Sequence, residues 1–509
     1  MPSFDDTEQM TAQHLRRLGS LSLLLAFLVC AHPAIRAQET PAPTDSSSAS
    51  PSASTGQSDA SPSSAAPDAP DAPAIFPHSE TARYLIAGQT NIIFQADPPF
   101  HSLYQGVNSF ISRGEYKTSL LGTLYLGLQV RRDPRTATEL IFNLESAGGR
   151  GLSEALGLAG FTNLDVVRNP NLGSVPYMAR VGIHQTIGLT NRMVESSRGP
   201  FSLATLVPER RLEFRFGKMS LPDILDINGP GSDSHLQFMN WTADNNGAWD
   251  YAADTRGYTY GALTEYDDKL WSARYLLALM PTVANGIDLD WNLRRASGQN
   301  MEFELRKTPF GRFVKPDRAG TVRVLSYVNH AHMGLYRDAI NSYLAGKSVL
   351  PDITSVERFS AVKYGFGVNA EQELTSNLRA FMRLGWNEGQ HESFAYTEVD
   401  QTMEFGGDYS LSKGILHLPP RPLDKIGLVY VTNAIKRDHQ EYLKLGGRGF
   451  LLGDGNLSYA REDIVEAYYT LHAWRGVYYA FDTQFIEHPG YNQVRGPVTV
   501  FSVRMHVDF

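Results

Sequence analysis

Apolar and polar residues alternate along most of this chain with a period of two. The last segment is the clearest case. Phe501, Val503, Met505, Val507 and Phe509 interleave with Ser502, Arg504, His506 and Asp508. Successive side chains of a strand point to opposite faces, so this segment reads as a strand with one apolar and one charged face. Residues 465–473 repeat the pattern, with Val465, Ala467, Tyr469, Leu471 and Ala473 opposite Glu466, Tyr468, Thr470 and His472. So do Val477, Tyr479, Phe481 and Phe485 against Asp482 and Gln484, and Leu212, Phe214 and Phe216 against Arg211, Glu213 and Arg215. Leu378, Ala380, Met382 and Leu384 oppose Arg379, Phe381 and Arg383, and Leu120, Leu124, Leu126, Leu128 and Val130 oppose Thr123, Tyr125 and Gln129. Further strands are expected over 138–145, 177–187, 257–265, 270–280, 299–306, 320–328, 361–370, 402–410 and 425–432. Turn-prone runs such as Asp244-Asn245-Asn246-Gly247 and Gly453-Asp454-Gly455-Asn456 fall between them. The gaps 148–175 and 218–250 are too long for hairpin turns and predict external or inward-folded loops.

Alternation alone also fits a soluble sandwich or propeller. Three features favour a transmembrane antiparallel β-barrel, an all-β fold. Full charges such as Arg211, Glu213 and Arg215 share one strand face, as a wet interior would require. Aromatic residues sit near the ends of the apolar faces, like an interfacial girdle. No run is long enough for a membrane-spanning helix; the best, Tyr275–Met280, is short and follows Arg274. A closed barrel leaves no unpaired backbone in lipid, and about 16 strands would enclose an aqueous lumen.

Composition agrees. The 509 residues include 44 Gly, and the 24 Tyr and 25 Phe together outnumber the 46 Lys and Arg. The net charge of −8 is spread along the chain, without the basic stripe of a nucleic-acid partner. One cysteine, Cys30, excludes a disulfide framework and a Cys-based metal site. Arg16 and Arg17 precede the apolar run 21–31, so residues 1–37 read as a secretory signal, with Met10 a second candidate initiator. Residues 38–76, nearly all Pro, Ala, Ser, Thr and Asp, read as a disordered tether. Residues 77–115 are then a lead-in segment and 116–509 the barrel.

Motifs for chemistry are weak. Ala345-Gly346-Lys347-Ser348 resembles the end of a phosphate loop, but Asn341 stands where the first glycine belongs. No Gly-x-Ser-x-Gly elbow occurs. His330 and His332 share a strand face and could ligate a metal; a polar lumen face is the preferred reading. His391 with Glu392 is read as a solvated loop rather than an acid–base pair. Asp226, Asp233, Asp244 and Asp250 lack calcium-loop spacing and are read as turn chemistry. No cofactor and no metal is expected.

The chain resembles the carbohydrate-selective porins of Gram-negative outer membranes. Phe238-Met239-Asn240 after an acidic loop, Glu466-Ala467-Tyr468-Tyr469, Gln484-Phe485-Ile486 with Pro489-Gly490, and Arg504 with terminal Phe509 carry the resemblance; Gly114–Gln129 and Leu140–Glu145 fit more loosely. It covers roughly 90–509. It implies an outer-membrane, sixteen-stranded barrel for passive uptake of sugars, whose other partners are membrane lipids and the barrel-assembly machinery. Association of copies stays open.

A porin binds weakly and lets go, so selectivity comes from pore width and lining groups. The candidate lining is Arg180, Arg211, Glu213, Arg215, Arg379, Arg383, Glu466, Asp482 and Gln484, with Tyr468 and Trp474 as aromatic surfaces, each opposite an apolar face. Asn240, Trp241 and Trp249 are the loop candidates. For any one of them, bracing the wall is the plainer role. Alternatives are a general or anion-selective pore of the same fold, a barrel-embedded hydrolase, and a soluble polysaccharide-binding β-protein.

Overall fold

The alternating segments do form strands, and sixteen of them close into one antiparallel barrel. The computed structural model describes residues 74–509 apart from 167–172, 308, 310, 312 and 415–418. The signal expected over 1–37, the choice between Met1 and Met10, and the tether up to residue 73 lie outside the described residues. The strands are β1 (Tyr84–Asp97), β2 (Glu115–Asp133), β3 (Thr136–Gly149), β4 (Tyr177–Gly188), β5 (Met193–Glu195), β6 (Leu206–Pro208), β7 (Arg211–Met219), β8 (Thr259–Asp267) and β9 (Trp271–Ala278). They continue as β10 (Ser297–Leu305), β11 (Gly320–Met333), β12 (Arg358–Glu373), β13 (Leu378–Asn387), β14 (Gln401–Ser410), β15 (Lys425–Ala434), β16 (Glu462–Trp474), β17 (Val477–Glu487) and β18 (Val498–Asp508). Among the described residues, only β5 and β6 stand outside the barrel, as a two-stranded hairpin.

Each strand pairs with its neighbour in sequence except where β4 meets β7, and β1 closes the ring against β18, from Gln89 opposite Asp508 to Ala96 opposite Phe501. This corrects the expectation that 77–115 is only a lead-in. The alternation of β1 is blurred in its middle by Gly88-Gln89-Thr90-Asn91, where neither face is apolar.

The burial pattern is inverted relative to a soluble protein. Ile92, Phe94, Phe303, Phe366, Phe405, Phe481, Phe501 and Val503 are exposed on the outside, while Asn91, Asn143, Lys363, Arg383, Glu404, Glu466 and Arg504 are buried within. That inversion fits lipid outside and a polar interior. His330 and His332 fall on the outward side of β11, where His332 pairs with Glu357 at 3.1 Å and stacks on Phe359. The reading of these two as lumen residues is therefore corrected; they lie at the strand's last turn, where parity continues the lipid-facing row of Val324 and Val328.

One rim carries the short turns 133–136, 267–271, 373–378 and 474–477 and both ends of the barrel sequence. In outer-membrane barrels that rim is periplasmic and the long loops are extracellular. Residues 151–166 of the first long connection turn inward, as do the connections 219–259 and 387–401. Residues 237–255 are buried without a break.

Candidate functional site

A loop threading a barrel leaves its amides without sheet partners, and buried amides need acceptors. The wall supplies them. Glu466 on β16 accepts from the backbone N–H of Met239 and Asn240 at 2.6 and 3.2 Å. Glu302 accepts from Asp226 and Glu371 from Gly229, each at 2.7 Å. Arg504 donates to the carbonyls of Ser234 and Gln237. Arg383, fully buried, donates to the Ala243 carbonyl at 2.8 Å and the Ser232 hydroxyl at 2.6 Å, and pairs with Asp226 and Glu404 at 3.0 and 3.2 Å. On β12 and β13 the facing pair Gly367 and Gly385 admits the Asn246 side chain; a Cβ on Gly385 would lie 2.0 Å from its Oδ1.

The inward loop thus fills one side of the barrel and leaves a cavity of about 410 Å³ against β1–β4. Gln89, Leu121, Tyr125, Glu145 and Arg180 line it from the wall, and Asp165, Asp223, Asp244, Trp241, Tyr251 and Tyr396 from the loops. Three rings form one aromatic surface: Trp241 stacks on Tyr396 at 5.8 Å with 9° between planes, and Tyr251 lies 4.5 Å from Tyr396. Trp241 is fixed by its indole N–H, which donates to the Asn163 carbonyl at 2.7 Å. A second group is Tyr177 and Tyr258, whose hydroxyls both donate to Glu145. Arg180 is gripped bidentately by Asp223 at 2.6 and 2.7 Å and lies 5.0 Å from the Tyr258 ring centre.

Of the lining and loop candidates named from sequence, Arg180 and Trp241 line this cavity, as do the aspartates Asp233 and Asp244. Arg211, Glu213 and Arg215 face inward but engage one another, Asp267 and His184. Arg379 pairs with Asp408. Arg383 and Glu466 lie under the loop, as does Gln484, whose Oε1 accepts from Asn240 at 2.9 Å. Asp482 is buried beside Gln484, and Tyr468 packs edge-on against Phe238 at 4.9 Å. Asn240 caps the short helix α1 (Trp241–Asp244) by accepting from the Thr242 amide. Trp249 is buried and donates to Asn300 at 2.9 Å. Trp474 is corrected: it is 64% exposed, because a register shift between His472 and Trp474 breaks the alternation that pointed it inward. Tyr251, Tyr396, Glu145, Asp223 and Tyr258 were not singled out; their partners are distant in sequence and carry no local signal.

The four loop aspartates have separate roles. Asp226 binds Arg383, Asp250 accepts from the amides of Phe394 and Ala395, Asp233 accepts from His235 and Leu236, and Asp244 faces the cavity. Among the described residues one trio, Asp463, Glu487 and His488, brings metal-ligand atoms within 4.8 Å of one another, on the outward ends of β16 and β17. His391 bonds Glu388 at 2.9 Å, while Glu392 accepts from the Gly334 amide, so the two do not form a pair with each other.

Burial pushes the Asp244 carboxyl up to about 7, with Arg383 opposing and Asp233 reinforcing the shift. Burial disfavours charge on His235 too, but Asp165, 3.5 Å away, and Asp233 raise it to about 9. Near neutral pH, His235 is charged while Asp244 gains its charge as pH rises. Between about pH 6 and pH 8 the channel should therefore become more cation-preferring, read as reversal potential in a salt gradient. Asp244→Asn should flatten that change; an equal shift in the variant would remove Asp244 as its origin.

The sequence profile described as carbohydrate-selective porin, OprB family, matches residues 134–509. A high-pH structure of OprB from Pseudomonas putida aligns with a TM-score of 0.61 at 15% identity, covering 84% of this chain and 94% of that one. The outer membrane channel DcaP of Acinetobacter baumannii aligns at 8% identity with a TM-score of 0.45, covering 84% and 97%. No curated protein sequence matches.

Proposed function

The chain belongs to the OprB family of carbohydrate-selective porins, and on that premise we propose that the cavity against β1–β4 is its sugar path. The protein is an outer-membrane barrel through which carbohydrates diffuse passively. The observation that carries the path is the joining of stacked rings with acids and two arginines, Arg180 and Arg256, around one cavity of about 410 Å³. A sugar offers hydroxyls all round and apolar C–H faces above and below its ring. Trp241, Tyr396 and Tyr251 offer flat apolar faces, and Glu145, Asp223, Asp244 and Arg180 exchange hydrogen bonds with passing hydroxyls. Each contact replaces one with water, so binding stays weak and transit continues.

An anion-selective pore would need arginines facing water. Arg211, Arg215, Arg379 and Arg383 instead have carboxylates within 4.0 Å, and the cavity has more acids than bases. The family and fold are those of a channel, and we read no catalytic step into it.

Liposome swelling with mono-, di- and trisaccharides beside linear solutes of matched size tests the path. Trp241→Ala should cut the preference for sugars roughly two- to tenfold, the value of one aromatic contact. Entry ordered by size alone in the wild type would leave a general pore. A wild-type sugar preference untouched by Trp241→Ala would place the path elsewhere.

A further inference from the structure

The β4–β7 connection, residues 189–210, lies on the rim of short turns yet does not stay outside. Beyond the β5–β6 hairpin its tip rises into the lumen. The tip is a tight turn, Gly199-Pro200-Phe201-Ser202, closed by the Gly199 amide donating to the Ser202 carbonyl at 2.8 Å. Proline at the second turn position fixes its backbone angle and stiffens it.

The segment is anchored on both sides. Glu139 on β3 accepts from the Leu203 amide at 3.0 Å. Arg198 donates to the Leu203 carbonyl at 2.8 Å and to the carbonyls of Ala82 and Tyr84 at 3.0 and 2.8 Å. Leu203 is 1% exposed and seats on Gly127, where a Cβ would lie 2.7 Å from its Cδ1. This is a built element rather than a loose loop.

Its tip reaches the sugar path. Pro200 and Phe201 line the same cavity as Trp241 and Tyr396. Phe201 packs edge-on against Tyr125, halfway along β2, at 6.5 Å, and the Arg180 guanidinium lies 4.9 Å from its ring centre. Arg180 is held in turn by Asp223 of the opposite, extracellular loop. At Arg180 the wall, the outer loop and the periplasmic connection therefore meet.

We propose that this periplasmic connection is a second selectivity element, in which Phe201 forms the exit side of the constriction and presents a ring face to the departing sugar. It rests on the sugar-path reading above. The outer loop then selects on entry and the hairpin tip on exit, with Arg180 between them. Phe201 is a specificity-determining residue, and Glu139, Arg198 and Gly127 position it.

The test uses the full-length refolded porin in planar bilayers and liposomes, with heat-modifiable gel migration confirming a folded barrel. Phe201→Ala should raise single-channel salt conductance and speed trisaccharide entry relative to monosaccharide. It should also lower the preference for sugars over linear solutes roughly two- to tenfold. Phe201→Trp should keep the preference and lower conductance. Replacing 196–205 by a short Gly-Ser link should reproduce the Phe201→Ala direction and exceed it. Folded variants with wild-type conductance and size dependence would overturn the proposal. Because conductance does not depend on cargo, a wild type that admits no sugar would sink the sugar path, while the conductance arm would still decide whether Phe201 bounds the pore.

Discussion

Replacing Arg383 by alanine should loosen the inward loop and widen the pore. The side chain is fully buried and ties five groups on four residues: the Ala243 and Asp226 carbonyls, the Ser232 hydroxyl, and the carboxylates of Asp226 and Glu404. Removing one partner of a buried ion pair leaves uncompensated charge and costs about 3–5 kcal/mol. The strand ladder of β13 is backbone-to-backbone and survives, so the loss falls on the loop, at the residues flanking Ser232 and Asp244 on the cavity wall. Single-channel conductance should rise and become noisier, and heat-induced unfolding should come at a lower temperature. Lysine should rescue only in part, because it keeps the charge but not the planar fork that serves several acceptors. Unaltered conductance with unaltered unfolding would show that Arg383 does not hold the loop.

Replacing Val503 by arginine should block assembly. Val503 points outward from the middle of β18, between Phe501 and Met505. An arginine facing lipid near the midplane costs about 2–4 kcal/mol. Folded yield in vesicles, scored by heat-modifiable migration, should collapse. Its neighbour gives the contrast: Arg504→Ala should leave assembly intact, since β18 pairs β1 and β17 through backbone. It should however release the 234–237 segment of the loop, because Arg504 donates to the carbonyls of Ser234 and Gln237. Normal assembly of Val503→Arg would mean that the lipid face is misassigned.

These two residues are adjacent and opposite in consequence, and their facing is legible from sequence. The resemblance over the last fifty residues or so is supported by the family match and the fold. The roles of the inward residues were less legible. Glu466, Gln484 and Arg383 look like pore lining when only their strands are considered. They become supports once a segment more than a hundred residues away lies across them, as the bonds of Glu466 to Met239 and of Gln484 to Asn240 require. Phe201 gave no sign beyond a Gly-Pro turn, which any surface loop carries.

By itself the sequence determined the barrel, a strand number of about 16 and most of the side chains that face lipid. Those follow from a local period of two and from a solvent whose polarity is reversed outside, so neighbours along the chain suffice. The tertiary structure alone decided that β1 closes the ring and that loop segments pack into the interior. It also decided that the open path runs beside β1–β4, where Trp241, Tyr396, Arg180 and Phe201 converge from four separate segments. That convergence depends on which buried amides find which carboxylates across the lumen, and such pairings have no periodicity along the chain.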